Sequence, residues 1–206
     1  MIYTRDIITY ALRYVKGDIL DFGAGSAKYK KIIAERGSRY VAFDVVAGQN
    51  IDVVGDVHHP PFGDASFDTI IMTQVLEHIS QPHRVMGEIF RMMRSGGHCI
   101  ITAPFFVPYH ADPYDYYRYT VTGLEFLAKE AGFKIVESGS YGGVITVFSE
   151  MLHFIFLHPY ASRKHGRIKT KFFETIFSLL GWLSRFARPG NIYANSYVIA
   201  VKQRIV

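Results

Sequence analysis

Asp18-Ile19-Leu20-Asp21-Phe22-Gly23-Ala24-Gly25-Ser26-Ala27 is the stretch on which the fold turns. Its first half is a short apolar run of the length of a buried strand. Its second half is a glycine turn that opens a helical pattern over residues 27–36, closed by Gly37. Glycines at such a junction let the backbone bend sharply and let a ligand approach main-chain atoms that a Cβ would block. A GxG turn alone is a weak signal, because any tight turn asks for small residues.

The surroundings of the turn give it meaning. Upstream, Ile7, Ile8, Ala11, Leu12 and Val15 recur on one face of a predicted helix over residues 4–15, ended by Lys16-Gly17. Downstream, apolar runs at 40–44, 51–55, 67–73, 98–103 and 133–137 read as strands. Between them lie a helical turn at 74–79, a helix at 82–94 with Pro82 in its first turn, and a further helix. Thr122-Gly123-Leu124-Glu125 reads as the capping box of that last helix, which ends near Ala131-Gly132. Strands alternating with helices at this spacing predict an α/β fold whose mostly parallel sheet carries helices on both faces.

From Gly142 the rhythm changes. Residues 144–157 and 172–186 read as two apolar-rich helices, joined by a basic stretch that holds Arg163, Lys164, His165, Arg167, Lys169 and Lys171. A seventh strand follows at 195–202. The expected organisation is one domain over residues 1–206, with an aromatic loop at 104–120 and a helical insertion at about 143–190. Neither repeats nor a linker divide it.

Composition narrows the class. Hydrophobic content of 49% with 20% charged residues suits a folded globular chain of 206 residues. The single Cys99 excludes an intrachain disulfide framework and a cysteine-based zinc site. The first residues lack the basic-then-apolar layout of a signal peptide, and no run of ~18 apolar residues is present to span a membrane. A cytoplasmic protein is therefore expected. The net charge of +5 is local to the insertion, so it does not by itself imply nucleic acid.

Charge at the glycine turn separates two ligand classes. A dinucleotide places its pyrophosphate on bare N–H groups and wants a third small residue in the G-x-G-x-x-G register. Here that position is Lys28, and the Asp21 carboxylate would repel a diphosphate. The same carboxylate suits a ligand bearing an amino group and a sulfonium. Asp44 ends the second strand, where it can accept from both hydroxyls of a ribose. Asp56 follows the third strand, where it can accept from an adenine amino group. A single acid at a strand end is ordinarily a solvated loop residue, but three at successive strand ends form a pattern.

Ile19 to Ala27, Asp44, Asp56 and Phe67-Asp68-Thr69-Ile70-Ile71 resemble, in order and spacing, the motifs of class I S-adenosylmethionine-dependent methyltransferases. Gln74-Val75-Leu76-Glu77-His78-Ile79, Glu88-Ile89-Phe90-Arg91 and Ser95-Gly96-Gly97 look like the small-molecule branch of that family. The match covers a little over half the chain, and Ala27 stands where the family often has a third glycine. The resemblance implies a Rossmann-like, seven-stranded sheet whose last strand runs antiparallel. It also implies S-adenosylmethionine as cofactor, with Asp21, Gly23, Ala24, Gly25 and Gln74 along its methionine portion. Asp44 and Val45 would lie at the ribose, and Asp56 with the Val57 backbone at the adenine.

Methyl transfer from a sulfonium works largely by holding nucleophile, methyl carbon and sulfur in line. A base is needed only where the acceptor must lose a proton. The candidates cluster in Pro104-Phe105-Phe106-Val107-Pro108-Tyr109-His110-Ala111-Asp112-Pro113-Tyr114-Asp115-Tyr116-Tyr117-Arg118-Tyr119-Thr120. This loop resembles one of bacterial methyltransferases associated with cell-surface sugar pathways, which implies a small-molecule or saccharide acceptor. On the functional reading His110 is a base, Arg118 pairs an acidic substrate group, and Tyr109 and Tyr114 wall the pocket. On the alternative reading the loop is a lid that packs its own aromatics, with Arg118 paired internally. His78 is a second candidate base, or else a turn histidine satisfied by a neighbour. Glu77 adjoins it, but adjacent residues on a helix face different ways, so no metal site is expected.

Phe172, Phe173, Ile176, Leu179, Leu180, Leu183 and Phe186 form an apolar stripe, flanked by Arg185 and Arg188. The stripe suits core packing, a homodimer seam, or peripheral contact with an anionic membrane through residues 143–188. Basic residues do not recur through the aromatic loop, so no nucleic-acid partner is expected. The leading expectation is transfer of a methyl group to oxygen or nitrogen of a small molecule or saccharide. The alternatives are a non-catalytic nucleoside-binding module and an NAD-dependent oxidoreductase, the latter opposed by Lys28 and Asp21.

Overall fold

The computed structural model describes residues 3–157, 179, 180, 182 and 190–203. Seven strands form one sheet: β1 (Asp18–Phe22), β2 (Arg39–Asp44), β3 (Val53–Val54), β4 (Phe67–Thr73), β5 (Met93–Pro104), β6 (Lys134–Gly143) and β7 (Tyr193–Val201). Their spatial order is β3-β2-β1-β4-β5-β7-β6. β1 to β5 pair in parallel, and β7 runs antiparallel to both β5 and β6. The helices are α1 (Thr4–Ala11), α2 (Lys30–Ala34), α3 (Pro82–Met92), α4 (Val121–Glu130) and α5 (Val144–Leu157). The expected α/β class, strand number and antiparallel last strand are all present.

Strand alternation builds two cores. Leu20, Phe22, Ile70 and Ile101 face one way and pack with Val85, Met86 and Ile89 of α3 and Leu124 of α4. Their neighbours Ile19, Ile71 and Ile100 face the other way and pack with Ile7, Ile8 and Ala11 of α1 and Ile33 of α2. Both faces of the sheet are therefore covered, which is why its strands read as continuous apolar runs. The chain leaves β1 toward β2 and β3 on one side and returns to β4 on the other. A sheet of this topology opens a crevice at that reversal, beyond the carboxyl ends of β1 and β4.

Several boundaries differ from those predicted. α2 begins at Lys30 rather than residue 27, because Ala27 has a positive φ of 53° and the chain is still turning there. Residues 12–14 tighten into a 3-10 turn instead of continuing α1. α4 is capped by Thr120, whose Oγ1 accepts from the Gly123 N–H at 3.0 Å, not by Thr122. β6 runs six residues beyond its predicted end, pairing with β7 as far as Gly143 opposite Tyr193. Its Ser138-Gly139-Ser140 looks like loop in sequence. It is strand because the Tyr197 ring lies across Gly139, where a Cβ would stand 2.9 Å from Cε1. The predicted helix at 144–157 is α5, whereas the one at 172–186 lies almost wholly outside the described residues. No helix among the described residues is long and apolar enough to cross a membrane.

Candidate active site

A cleft of about 410 Å³ opens where the sheet topology places it, lined by Gly23 and Gly25 after β1, Asp44 to Gly48 after β2, Val57, and Gln74 and Val75 after β4. His78, Asp112 and Pro113 complete the wall. The two glycines differ in kind. Gly23 has a φ of +73°, and a Cβ there would stand 2.5 Å from Val75 Cγ2. Gly25 has a φ of +55°, and a Cβ there would meet no atom within 4 Å. The first glycine is demanded by packing. The second presents bare backbone to open space at the cleft wall, as close approach of a ligand requires.

The three strand-end acids have three different environments. Asp44 lines the cleft, and its carboxylate accepts from the Gly25 N–H at 2.8 Å and the Val46 N–H at 3.0 Å. Asp56 is exposed and bound up with its own turn, accepting from the His58 N–H at 2.8 Å, with His58 Nδ1 at 3.0 Å and His59 Nδ1 at 3.1 Å. Those bonds hold its carboxyl well below the usual carboxylate range. Asp56 does not line the cleft, although the neighbouring Val57 does.

Asp21 was expected at the turn itself. It lies two residues from Ile19 along β1 and so points to the α1–α2 side of the sheet, where it is 4% exposed. There Tyr40 donates to its Oδ2 at 2.5 Å. Burial raises its pKa to about 6, and the nearby charge of Asp44 adds to the rise. Its charge stands behind the cleft rather than in its wall. Gln74 follows β4 in a left-handed conformation, φ +55°. Its Nε2 donates to Thr102 Oγ1 and to the Tyr141 hydroxyl, both at 3.1 Å, leaving the amide oxygen without a hydrogen-bond partner among the described residues.

On the far side of the cleft the aromatic loop folds back over the 3-10 turn Leu76–His78. The Tyr116 and Tyr117 N–H groups donate to the Glu77 carbonyl at 2.7 and 3.3 Å. Arg118 uses all five guanidinium donors inside the loop: two on the Asp115 carboxylate and the others on the carbonyls of Val107, Tyr117 and Pro108. No donor is left for a substrate anion, so the substrate role expected for Arg118 gives way to that of a clamp. Asp115 also accepts from the His110 N–H at 2.8 Å, which fixes His110 against the turn. Tyr109 and Tyr114 are exposed and do not line the cleft.

The loop thereby brings together groups far apart in sequence. His78 Nε2 lies 3.7 Å from Glu77 Oε1, and His110 Nε2 lies 3.8 Å from the same oxygen. The two imidazoles meet edge to face with centroids 5.3 Å apart. Glu77 and its neighbour were expected to face apart; instead the carboxylate and both rings converge. The Glu77 carboxylate beside it raises the pKa of His110 against the opposing effect of burial. Of the residues predicted for the site, Gly23, Gly25, Asp44, Val45, Val57, Gln74 and His78 share the cleft, while Asp21, Ala24, Asp56 and His110 do not line it. Val46, Ala47, Gly48, Val75, Asp112 and Pro113 were missed. The only sequence signal for them was their place beside strand ends and in the aromatic loop.

Residues 20–101 match the protein-family model described as a methyltransferase domain. A demethylmenaquinone methyltransferase of Renibacterium salmoninarum is 26% identical over 141 residues, 62% of this chain and 58% of the relative. The chain thus spans a little over half the length of that relative. Phosphoethanolamine N-methyltransferase 2 of Haemonchus contortus, solved with S-adenosyl-L-methionine, superposes with a TM-score of 0.62 at 16% identity, over 98% of this chain and 53% of that one. The cyclase SpnF superposes with a TM-score of 0.63 at 18% identity, over 97% and 81%. At such identities the structural likeness establishes a shared Rossmann-like fold and not a shared reaction. Sheet order, glycine turn and strand-end acid together describe an α/β domain with a cleft at the reversal of its sheet. The family match over residues 20–101, less than half of the chain, takes in the glycine turn, Asp44 and β4, and in that part the chain is similar to a methyltransferase domain.

Proposed function

We propose that this chain transfers a methyl group from S-adenosylmethionine to an oxygen or nitrogen of a small molecule or saccharide. The observation that carries the reading is the Asp44 carboxylate, held at the cleft wall by two backbone N–H groups beside the bare backbone of Gly25. A carboxylate offers about four lone-pair sites, and two are engaged here, so the rest can accept from adjacent ribose hydroxyls. Val45, Val46 and Val57 give apolar surface for a base. The Gln74 amide oxygen is an acceptor for an ammonium group. Asp21, ionised above about pH 6, favours a cationic ligand across a low-dielectric wall.

When bound, S-adenosylmethionine supplies a methyl carbon on a positively charged sulfur, already activated for displacement. The protein's part is to position the acceptor and exclude water. Asp112 and Pro113 of the aromatic loop close one side of the cleft, and His78 faces it from the turn below that loop. His78 and His110 are the basic groups on that side, suited to an acceptor that must lose a proton on attack.

Incubation of the full chain with methyl-labelled S-adenosylmethionine and fractionated small-molecule extract tests this reading. Label is expected in a small-molecule fraction, with release of the demethylated cofactor. Cofactor binding without transfer to any fraction would favour a non-catalytic binding module.

A further inference from the structure

We propose that Glu77, His78 and His110 form a binding site for a divalent transition-metal cation that accepts imidazole and carboxylate ligands, zinc being the reference ion. One ligand atom from each residue lies within 4.8 Å of the others. The direction of the lone pairs matters more here than proximity.

His78 Nδ1 lies 2.6 Å from the Tyr114 carbonyl oxygen, and His110 Nδ1 lies 2.9 Å from the Pro108 carbonyl oxygen. A carbonyl can only accept, so each Nδ1 carries its hydrogen. In a neutral ring that leaves Nε2 as a lone pair. Both Nε2 atoms then point toward Glu77 Oε1, at 3.7 and 3.8 Å. Glu77 is fully buried, and neither of its carboxylate oxygens has a hydrogen-bond partner among the described residues. With both rings neutral, three electron-rich groups thus face one another with no donor between them. A buried charge in that position is ordinarily paired or bound to a metal. A backbone carbonyl holding the remote nitrogen is also how metal-ligating imidazoles are oriented.

The dimensions suit such an ion. Bonds of about 2.0–2.1 Å in a tetrahedral arrangement place ligand atoms roughly 3.4 Å apart, a few tenths of an ångström closer than the two measured separations. Glu150, close enough to His110 to interact with it electrostatically, has a buried Oε2 with no hydrogen-bond partner among the described residues. Two imidazoles and one carboxylate leave coordination positions free, as catalytic sites do.

The binding itself does not depend on the reading of the cleft. Its role does: His78 also lines the cleft, so an acceptor oxygen on the ion would be on the cofactor's side. There the cation would make a bound hydroxyl more acidic by stabilising its deprotonated oxygen. With both Nε2 lone pairs on the ion neither imidazole acts as the base, so the hydroxyl proton goes to solvent, the oxygen forms its bond to the methyl carbon, and the carbon–sulfur pair stays on sulfur.

The test is calorimetric titration of the full, chelator-treated chain with Zn²⁺, and with Co²⁺ as a visible-absorbing substitute. One equivalent is expected to bind, with Co²⁺ giving ligand-field bands. His110→Ala and Glu77→Gln should each weaken binding by roughly tenfold or more, while affinity for S-adenosylmethionine changes less than twofold. His110 lies on a loop, so that variant folds even if removal of the buried Glu77 charge disturbs its turn. Absence of stoichiometric Zn²⁺ and Co²⁺ binding would overturn the proposal, as would equal affinity in wild type and His110→Ala. Zinc bound without cofactor binding would sink the methyltransferase reading and leave this site standing. The reverse result would do the opposite.

Discussion

The Gly25 N–H donates to Asp44 Oδ2 at 2.8 Å, tying the turn after β1 to the carboxyl end of β2. One bond thus sets both the bare backbone and the anionic wall of the cleft, and the loss of either partner should be felt at the other.

Replacement of Asp44 by alanine is expected to weaken S-adenosylmethionine binding by about 1.5–3 kcal/mol, the range for hydrogen bonds to a charged group. The fold should survive, because Asp44 is only partly buried at a strand end. Calorimetry on the variant checks the affinity, and unchanged binding would place the ribose elsewhere.

The two turn glycines should respond differently to alanine. At both, a Cβ in the left-handed region costs about 1–2 kcal/mol. Gly23→Ala adds a collision with Val75 and should destabilise by more than that in denaturant unfolding. Gly25→Ala meets no protein atom, so its stability loss should stay near the backbone cost while cofactor affinity falls.

Asp21 gives a pH dependence whose sign is fixed. Its folded pKa of about 6 lies above the ordinary carboxylate value, so the folded chain holds a proton that the unfolded chain releases nearer pH 4. Its contribution to stability is full below about pH 4 and is lost as pH rises through about 6. Asp21→Asn should stabilise the ligand-free protein at pH 7.5 by on the order of 2 kcal/mol. It should also reduce affinity for the cationic cofactor, which in wild type should strengthen as pH rises through 6. Thermal unfolding and titration across pH 5–8 read both effects.

Arg118 holds the aromatic loop, and lysine cannot replace a fork that makes five bonds. Asp115 is 1% exposed in its side chain and would lose its cation in Arg118→Ala. A loss of about 3 kcal/mol is expected for that uncompensated buried charge. Arg118→Lys should fail to restore methyl transfer, while cofactor affinity in both variants stays near wild type. Hydrogen exchange over residues 104–120 should rise in each.

Much of the fold was legible because strand and helix patterns are local. Ile19 and Leu20 mark a strand buried on both faces without reference to anything distant. Asp44 was legible as a cleft residue because a strand end fixes its position. Asp21 was misplaced by one alternation: its side chain follows Ile19 to the far face, toward Tyr40. β6 was cut short because Gly139 is read as a turn residue until the Tyr197 ring across it is known. The convergence of Glu77, His78 and His110 was illegible for the same reason. It depends on a loop that returns over the turn, held by bonds from Tyr116 and Tyr117 to a carbonyl some 40 residues earlier.

The central claim is that this cleft binds a positively charged nucleoside and not a dinucleotide. Parallel titrations of the full chain with S-adenosylmethionine and NAD at pH 7.5 address it most directly. One equivalent of S-adenosylmethionine should bind, competitively with its demethylated product, and NAD should give no saturable heat. Saturable NAD binding, or folded protein that takes up neither S-adenosylmethionine nor its product, would contradict the account.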